Sequence, residues 1–136
     1  MIHRLLLALF GAAFLAGCAS GQTGAGDPVI APTEVVARMA QDSLLVILDV
    51  RTQTEFDSPS GHIRGSLLIP VQELEGRIAE LAPYKARTII AVCRSGNRSG
   101  KATQILREHG YETFNMTGGM NRWNAEGLPV QHTETR

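Results

Sequence analysis

Leu44-Leu45-Val46-Ile47-Leu48-Asp49 most narrows what this chain can fold into, because it is apolar at five consecutive positions and then stops at an acid. A surface helix or a half-exposed strand would show polar residues at regular intervals. A short, uninterrupted apolar run predicts instead a strand covered on both faces, as in a parallel sheet. Similar runs occur at Ser66 to Ile69, closed by Pro70, and at Thr88 to Val92, closed by Cys93, with a shorter candidate at Glu112 to Met116. Helical patterns lie between them. Pro32 at a first-turn position, followed by Val35, Val36, Met39 and Ala40, predicts one helix. Leu74, Ile78 and Leu81, interspersed with Glu73, Glu75, Arg77 and Glu80, predict a second that stops before Pro83. Ala102, Ile105, Leu106 and His109, with Gly110 as a C-terminal stop, predict a third. Strands alternating with helices are the mark of βαβ units, so the expected class is α/β with a central parallel sheet flanked by helices.

Ligands of open parallel sheets bind beyond the carboxyl ends of the strands, near helix N-termini. Cys93 falls at that end of one predicted strand, and Asp49 and Arg51 fall at the same end of another. A thiol, an acid and several arginines are thus expected on one edge of the sheet.

The 136 residues carry 13 basic and 13 acidic side chains, enough chain for one core and without the basic excess of a nucleic-acid binder. Residues 1–17 do not fit that domain. His3 and Arg4 make a short basic start, Leu5 to Leu15 is apolar or small throughout, and small residues follow, which is the pattern of a secretory signal. A membrane-spanning helix needs about 20 apolar residues, and this run is roughly half that. Leu15-Ala16-Gly17-Cys18 resembles the lipobox of bacterial lipoproteins, which implies that Cys18 becomes the acylated first residue of the mature chain. A signal cut elsewhere would leave Cys18 an ordinary thiol. Acyl chains contribute about 0.8 kcal/mol per buried methylene, so several together give lasting attachment to a membrane. Residues 18–27 then form a tether rich in Gly, Ser and Thr, with a mean span of roughly 15–18 Å. In such lipoproteins Asp after the lipidated Cys favours the inner membrane. Here that residue is Ala19, and the resemblance implies an exported protein on the outer membrane, facing the periplasm. The expected domain is 28–132, with 133–136 as a tail.

The whole chain has only Cys18 and Cys93, so acylation of Cys18 would leave Cys93 with no internal disulfide partner. After Cys93 comes Arg94-Ser95-Gly96-Asn97-Arg98-Ser99-Gly100. Small residues tolerant of left-handed backbone let successive N–H groups turn inward as an anion-receiving nest, and the next helix adds its positive end. An unperturbed thiol with a pKa near 8.5 is about 3% thiolate at pH 7, and a shift down by about two units makes it roughly three-quarters thiolate. Cys93 is therefore the candidate nucleophile.

Asp49-Val50-Arg51, Gly61-His62-Ile63, Cys93 to Ser99, and Gly118-Gly119-Met120…Trp123…Gly127-Leu128-Pro129-Val130 resemble, in order and spacing, a single rhodanese domain over nearly all of Pro28 to His132. The resemblance implies a parallel sheet of about five strands and a sulfurtransferase activity. In it Cys93 would take sulfane sulfur from a donor such as thiosulfate, hold it as a persulfide, and pass it to cyanide, a small thiol or a protein thiol. The amides of Arg94, Ser95, Gly96, Asn97 and Arg98 would surround that sulfur, and the Arg94 and Arg98 side chains would orient the anionic donor. Asp49 and Arg51 would brace the loop, with Ser99 in support. No cofactor or metal is implied. Asp57 to Ser60 makes the Phe56–Gly61 connection about two residues longer than the family's usual spacing, and Leu68 stands where family members commonly carry Asn.

Two other functions use the same thiolate. A Cys-based phosphatase places five residues between nucleophile and Arg, whereas Cys93 and Arg98 enclose four. A redox-sensing or docking module would need the thiolate without sulfur turnover. His62 reads as a turn residue that hydrogen-bonds locally, His109 and His132 lack companions at metal-ligand spacing, Trp123 reads as a core plug, and Gly118-Gly119 as a tight turn or close contact beside the loop.

Overall fold

Two-faced burial of the short central strands is what the computed structural model shows, over the residues it describes, 26–133. The strands are β1 (Val29–Ile30), β2 (Val46–Asp49), β3 (Leu67–Leu68), β4 (Ile89–Val92) and β5 (Thr113–Met116). They form one parallel sheet in the order β1-β5-β4-β2-β3. The helices are α1 (Pro32–Gln41), α2 (Gln53–Phe56), α3 (Asn97–Glu108) and α4 (Gly119–Ala125), with a 3-10 segment at Glu75–Tyr84. The class and the five-stranded parallel sheet agree with expectation.

Alternation along the central strands divides the core in two. Val46, Leu48 and Val50 of β2 and its continuation point to the same side as Ile89, Ala91 and Cys93, where Leu74, Leu81, Ala102 and Leu106 cover them. Ile47, Ile90 and Val92 point the other way, against Val35 of α1 and Met120 and Trp123 of α4. Every residue of β2 and β4 is buried, which is why their sequences carry no polar alternation. Trp123, 2% exposed, donates its indole N–H to the Pro129 carbonyl at 3.0 Å.

Several boundaries differ from expectation. β2 begins at Val46, because Asp42 Oδ1 accepts the Leu44 N–H at 2.8 Å and keeps the chain turning, leaving Leu44 55% exposed. The segment expected as an α-helix ending before Pro83 is a 3-10 run that continues through it to Tyr84. Its three-residue period sets Ile78, Leu81 and Tyr84 in one line against the core. β1, which has only two residues, carries no periodic signal. It is fixed by its pairing with Asn115 and Met116. The third helix begins at Asn97, and Gly110 follows its end with φ +75°.

Leu48→Ala removes a fully buried side chain from β2 and is expected to cost about 2–5 kcal/mol, whereas Leu44→Ala should stay within about 0.5 kcal/mol. Urea unfolding midpoints of the two variants test this, and equal losses would contradict the strand boundary.

Candidate functional site

Parallel pairing sets Asp49 beside Val92, so β2 and β4 end together, and Cys93 follows directly at the sheet edge. Cys93 is 1% exposed. Its Sγ accepts the Gly96 N–H at 3.1 Å and lies 3.3 Å from the Ser99 hydroxyl. Gly96 adopts φ +102° as the residue before α3, a conformation that turns its N–H toward the sulfur and that an L side chain rarely adopts. Burial pushes the Cys93 thiol up. The Ser99 hydroxyl and the N–H groups of Ser99, Gly96 and Ser95 outweigh it, and the net effect holds the thiol below its ordinary range.

The loop faces inward because its carbonyls are engaged on the outside. Met120 N–H donates to Cys93 O at 2.8 Å and Asn121 N–H to Arg94 O at 2.9 Å, so the start of α4 grips the loop backbone. That approach requires Gly119. A Cβ there would lie 2.4 Å from Cys93 O and 2.6 Å from Arg94 C, and Gly119 itself has φ +55°. Close packing beside the loop, as expected of Gly118-Gly119, is what the contact shows.

Asp49 and Arg51 form an ion pair almost sealed from solvent, at 1% and 2% exposure, with Arg51 Nη2 2.7 Å from Asp49 Oδ2. Arg51 also donates to Glu55 O at 3.2 Å, Ser60 Oγ at 3.3 Å and Gly61 O at 2.9 Å. The bracing is therefore of the 55–61 segment, which stands beside the Cys93 loop, rather than of that loop itself. His62 accordingly hydrogen-bonds the Phe56 carbonyl at 3.2 Å and stacks on the Phe56 ring.

Glu55 is one site residue that sequence reasoning passed over. It grips the Arg98 guanidinium with both oxygens, at 2.6 and 2.7 Å. The signal lay in Thr52-x-x-Glu55, a capping box in which Thr52 Oγ1 accepts the Glu55 N–H and Glu55 accepts the Thr52 N–H. The Arg98 hydrogen bond, against some burial, draws the Glu55 carboxyl down to about 2. Arg98 is thus clamped, while Arg94 has no ion-pair partner among the described residues. Arg94 lines a cavity of about 310 Å³ with Arg51, Glu55, Ser58, Ser60, Met120 and Asn121. Two of its walls, Ser58 and Ser60, come from the lengthened 57–60 connection. Ser95 contributes its N–H, and Asn97 begins α3 with an exposed side chain. Cys18 lies outside the described residues.

A second network reaches the sulfur from β5. Ser99, fully buried, donates to Asn115 Oδ1 at 2.6 Å, and Asn115 Nδ2 donates to Gly96 O at 3.0 Å. Nothing in the sequence pattern marked Asn115.

The rhodanese-like domain family matches residues 31–126. A sulfurtransferase of Allochromatium vinosum is 33% identical over 94 residues, covering 68% of this chain and 84% of the relative. The thiosulfate sulfurtransferase PspE of Escherichia coli is 36% identical over 73 residues, 54% of this chain and 68% of that protein. The crystal structure of a rhodanese-related protein from Thermoplasma volcanium superposes with a TM-score of 0.69 at 28% identity, over 76% of this chain and 97% of that one. Against two other curated relatives the chain spans only 50% and 56% of their length.

Because the Glu55 carboxyl falls from 4.5 to about 2, the stability it contributes is fully present above pH 4.5 and is lost as pH drops through about 2. Urea unfolding of the protein and of Glu55→Gln should therefore converge as pH falls across that window. A gap between them that is unchanged at the acid end would show that the Arg98 clamp is not its source.

Proposed function

The chain belongs to the rhodanese-like domain family, and from that premise we propose that it is a sulfurtransferase carrying sulfane sulfur on Cys93 as a persulfide. The observation that carries this reading is the thiol itself. Cys93 is buried, yet it is held toward the thiolate by inward-facing N–H groups. A sulfur kept only for packing gains nothing from such donors.

In the first half-reaction the Cys93 thiolate attacks the outer sulfur of a donor such as thiosulfate. A new S–S bond forms, the donor's S–S bond breaks, and its electron pair leaves with sulfite. The terminal persulfide sulfur inherits the negative charge, and the loop N–H groups stabilise charge placed there. In the second half-reaction cyanide or a thiol attacks that terminal sulfur, and the electron pair returns to Cys93 Sγ. Arg94, the loop guanidinium with no carboxylate partner among the described residues, draws in the anionic donor. Arg98, held by Glu55, shapes the rim beside it. The ring closed by four residues between Cys93 and Arg98 suits one sulfur atom better than a phosphoryl group.

Incubation of the protein with thiosulfate should add one sulfur atom, detected by intact-mass spectrometry, removed by cyanide and absent in Cys93→Ala. Failure of Cys93 to gain cyanide-labile sulfur would sink the proposal. So would hydrolysis of an aryl phosphate at a comparable rate, lost in Cys93→Ala.

The lipobox-like Leu15-Ala16-Gly17-Cys18 supports a second part of the reading, that the domain works outside the cytoplasm, tethered by acylated Cys18 to the periplasmic face of the outer membrane. Its sulfur acceptor is then a periplasmic thiol, supplied from outside the chain. Labelled palmitate should enter the protein and be lost with Cys18→Ser, which should also free the domain from the membrane fraction. A label retained in Cys18→Ser would overturn the anchor.

A further inference from the structure

Ser99 has one hydroxyl proton and two acceptors within reach: Asn115 Oδ1 at 2.6 Å and Cys93 Sγ at 3.3 Å. The Asn115 amide cannot turn to offer its nitrogen instead, because Nδ2 is committed to Gly96 O at 3.0 Å. The arrangement is also tight, since a Cβ at Gly100 would come within 3.2 Å of Asn115 Nδ2. A neutral thiol sulfur is a weak acceptor, so the proton lies on the Asn115 side. A thiolate is a charged and far stronger acceptor. When Cys93 ionises, the proton turns to Sγ, and the partly buried Asn115 oxygen loses its partner.

We propose that Asn115 is a positioning residue that competes with Cys93 for the Ser99 hydroxyl proton and thereby sets how readily the Cys93 thiolate forms. A thiolate stabilised too well is more abundant but less nucleophilic, so the competition holds the sulfur between those extremes. That Cys93 also leaves as a thiolate in the second half-reaction rests on the sulfurtransferase reading; the competition for the proton does not. The charged groups of the elements packed around the sulfur are Asp49 at the end of β2, Arg51 just after it, Glu55 on α2, Arg94 in the loop and Arg98 on α3. A neutral substitution at position 115 alters none of them.

The test is the pH profile of Cys93 alkylation by iodoacetamide in the full chain, for the unaltered protein, Asn115→Leu, Ser99→Ala and the double variant. Asn115→Leu leaves the Ser99 proton to the sulfur, so the midpoint should fall. One freed charge-assisted hydrogen bond is worth roughly tenfold in thiolate, and lower nucleophilicity offsets part of that, leaving a gain of about threefold in rate at pH 6. In the Ser99→Ala background, whose midpoint should be higher, adding Asn115→Leu should not lower the midpoint, because all it then removes is the Nδ2 donation to Gly96 O that steadies the Gly96 N–H on the sulfur. A midpoint that stays or rises in Asn115→Leu, or that moves equally in both backgrounds, overturns the proposal. Nitrogen NMR of the protein with Asn115 intact gives a check independent of how that variant folds. The Asn115 side-chain amide should titrate with Cys93 and cease to do so in Ser99→Ala, and persistence of the titration there would overturn it. The alkylation pattern above, found in a protein that takes no sulfur from thiosulfate, would support the competition while overturning the sulfurtransferase reading.

Discussion

A guanidinium buried to 2% exposure has to be satisfied at every donor, and Arg51 meets that demand in a way that fixes its surroundings. Its Nε and Nη2 take the two oxygens of Asp49, and Nη1 and Nη2 reach the Glu55, Ser60 and Gly61 oxygens. Leaving either member of a buried pair alone costs about 3–5 kcal/mol, because an uncompensated charge then sits away from water. The pair ties the end of a central strand to a connection that otherwise has little core of its own. α2 is four residues long with no buried side chain, so its position comes from this knot, its capping box and the Phe56–His62 stack rather than from a buried core face. Glu55 is carried on that short helix, and through Glu55 the knot reaches Arg98 at the start of α3.

Around the sulfur the balance is different in kind. Burial opposes the charged form, and among the described residues the groups that hydrogen-bond Sγ, the Gly96 N–H and the Ser99 hydroxyl, carry no charge. The opposing stabilisation comes from neutral dipoles: the loop N–H groups and the Ser99 hydroxyl. Such groups need fixed directions. The grip of α4 on the Cys93 and Arg94 carbonyls supplies them from one side, and Asn115 on the Gly96 carbonyl from the other. Of the three arginines around the loop, Arg51 and Arg98 are engaged by carboxylates, and Arg94 has no ion-pair partner among the described residues.

The strands and the loop were legible in the chain for separate physical reasons. β2 and β4 are buried on both faces, so their composition had to be uniformly apolar, and the run into Cys93 could not be mistaken for an amphipathic surface. The 93–100 loop was legible because left-handed backbone restricts which residues it can hold. The Glu75–Tyr84 segment misled because spacings of three and four fit an α-helix and a 3-10 helix alike. The tighter winding that lines up Ile78, Leu81 and Tyr84 is selected by the core they meet. α2 was missed for its brevity, although Thr52 and Glu55 announced its start.

By itself, then, the sequence determined the class of fold, the edge of the sheet where the 93–100 loop sits, and the thiol at the start of that loop. Each of these is imposed locally, by burial of a strand or by the backbone of a loop. Tertiary structure alone decided which arginine is clamped by Glu55 and which two acceptors stand within reach of the Ser99 hydroxyl. Glu55 and Arg98 are 43 residues apart and Ser99 and Asn115 are 16 apart. Hydrogen bonds of that reach depend on directions within a few tenths of an ångström, which no spacing along the chain records.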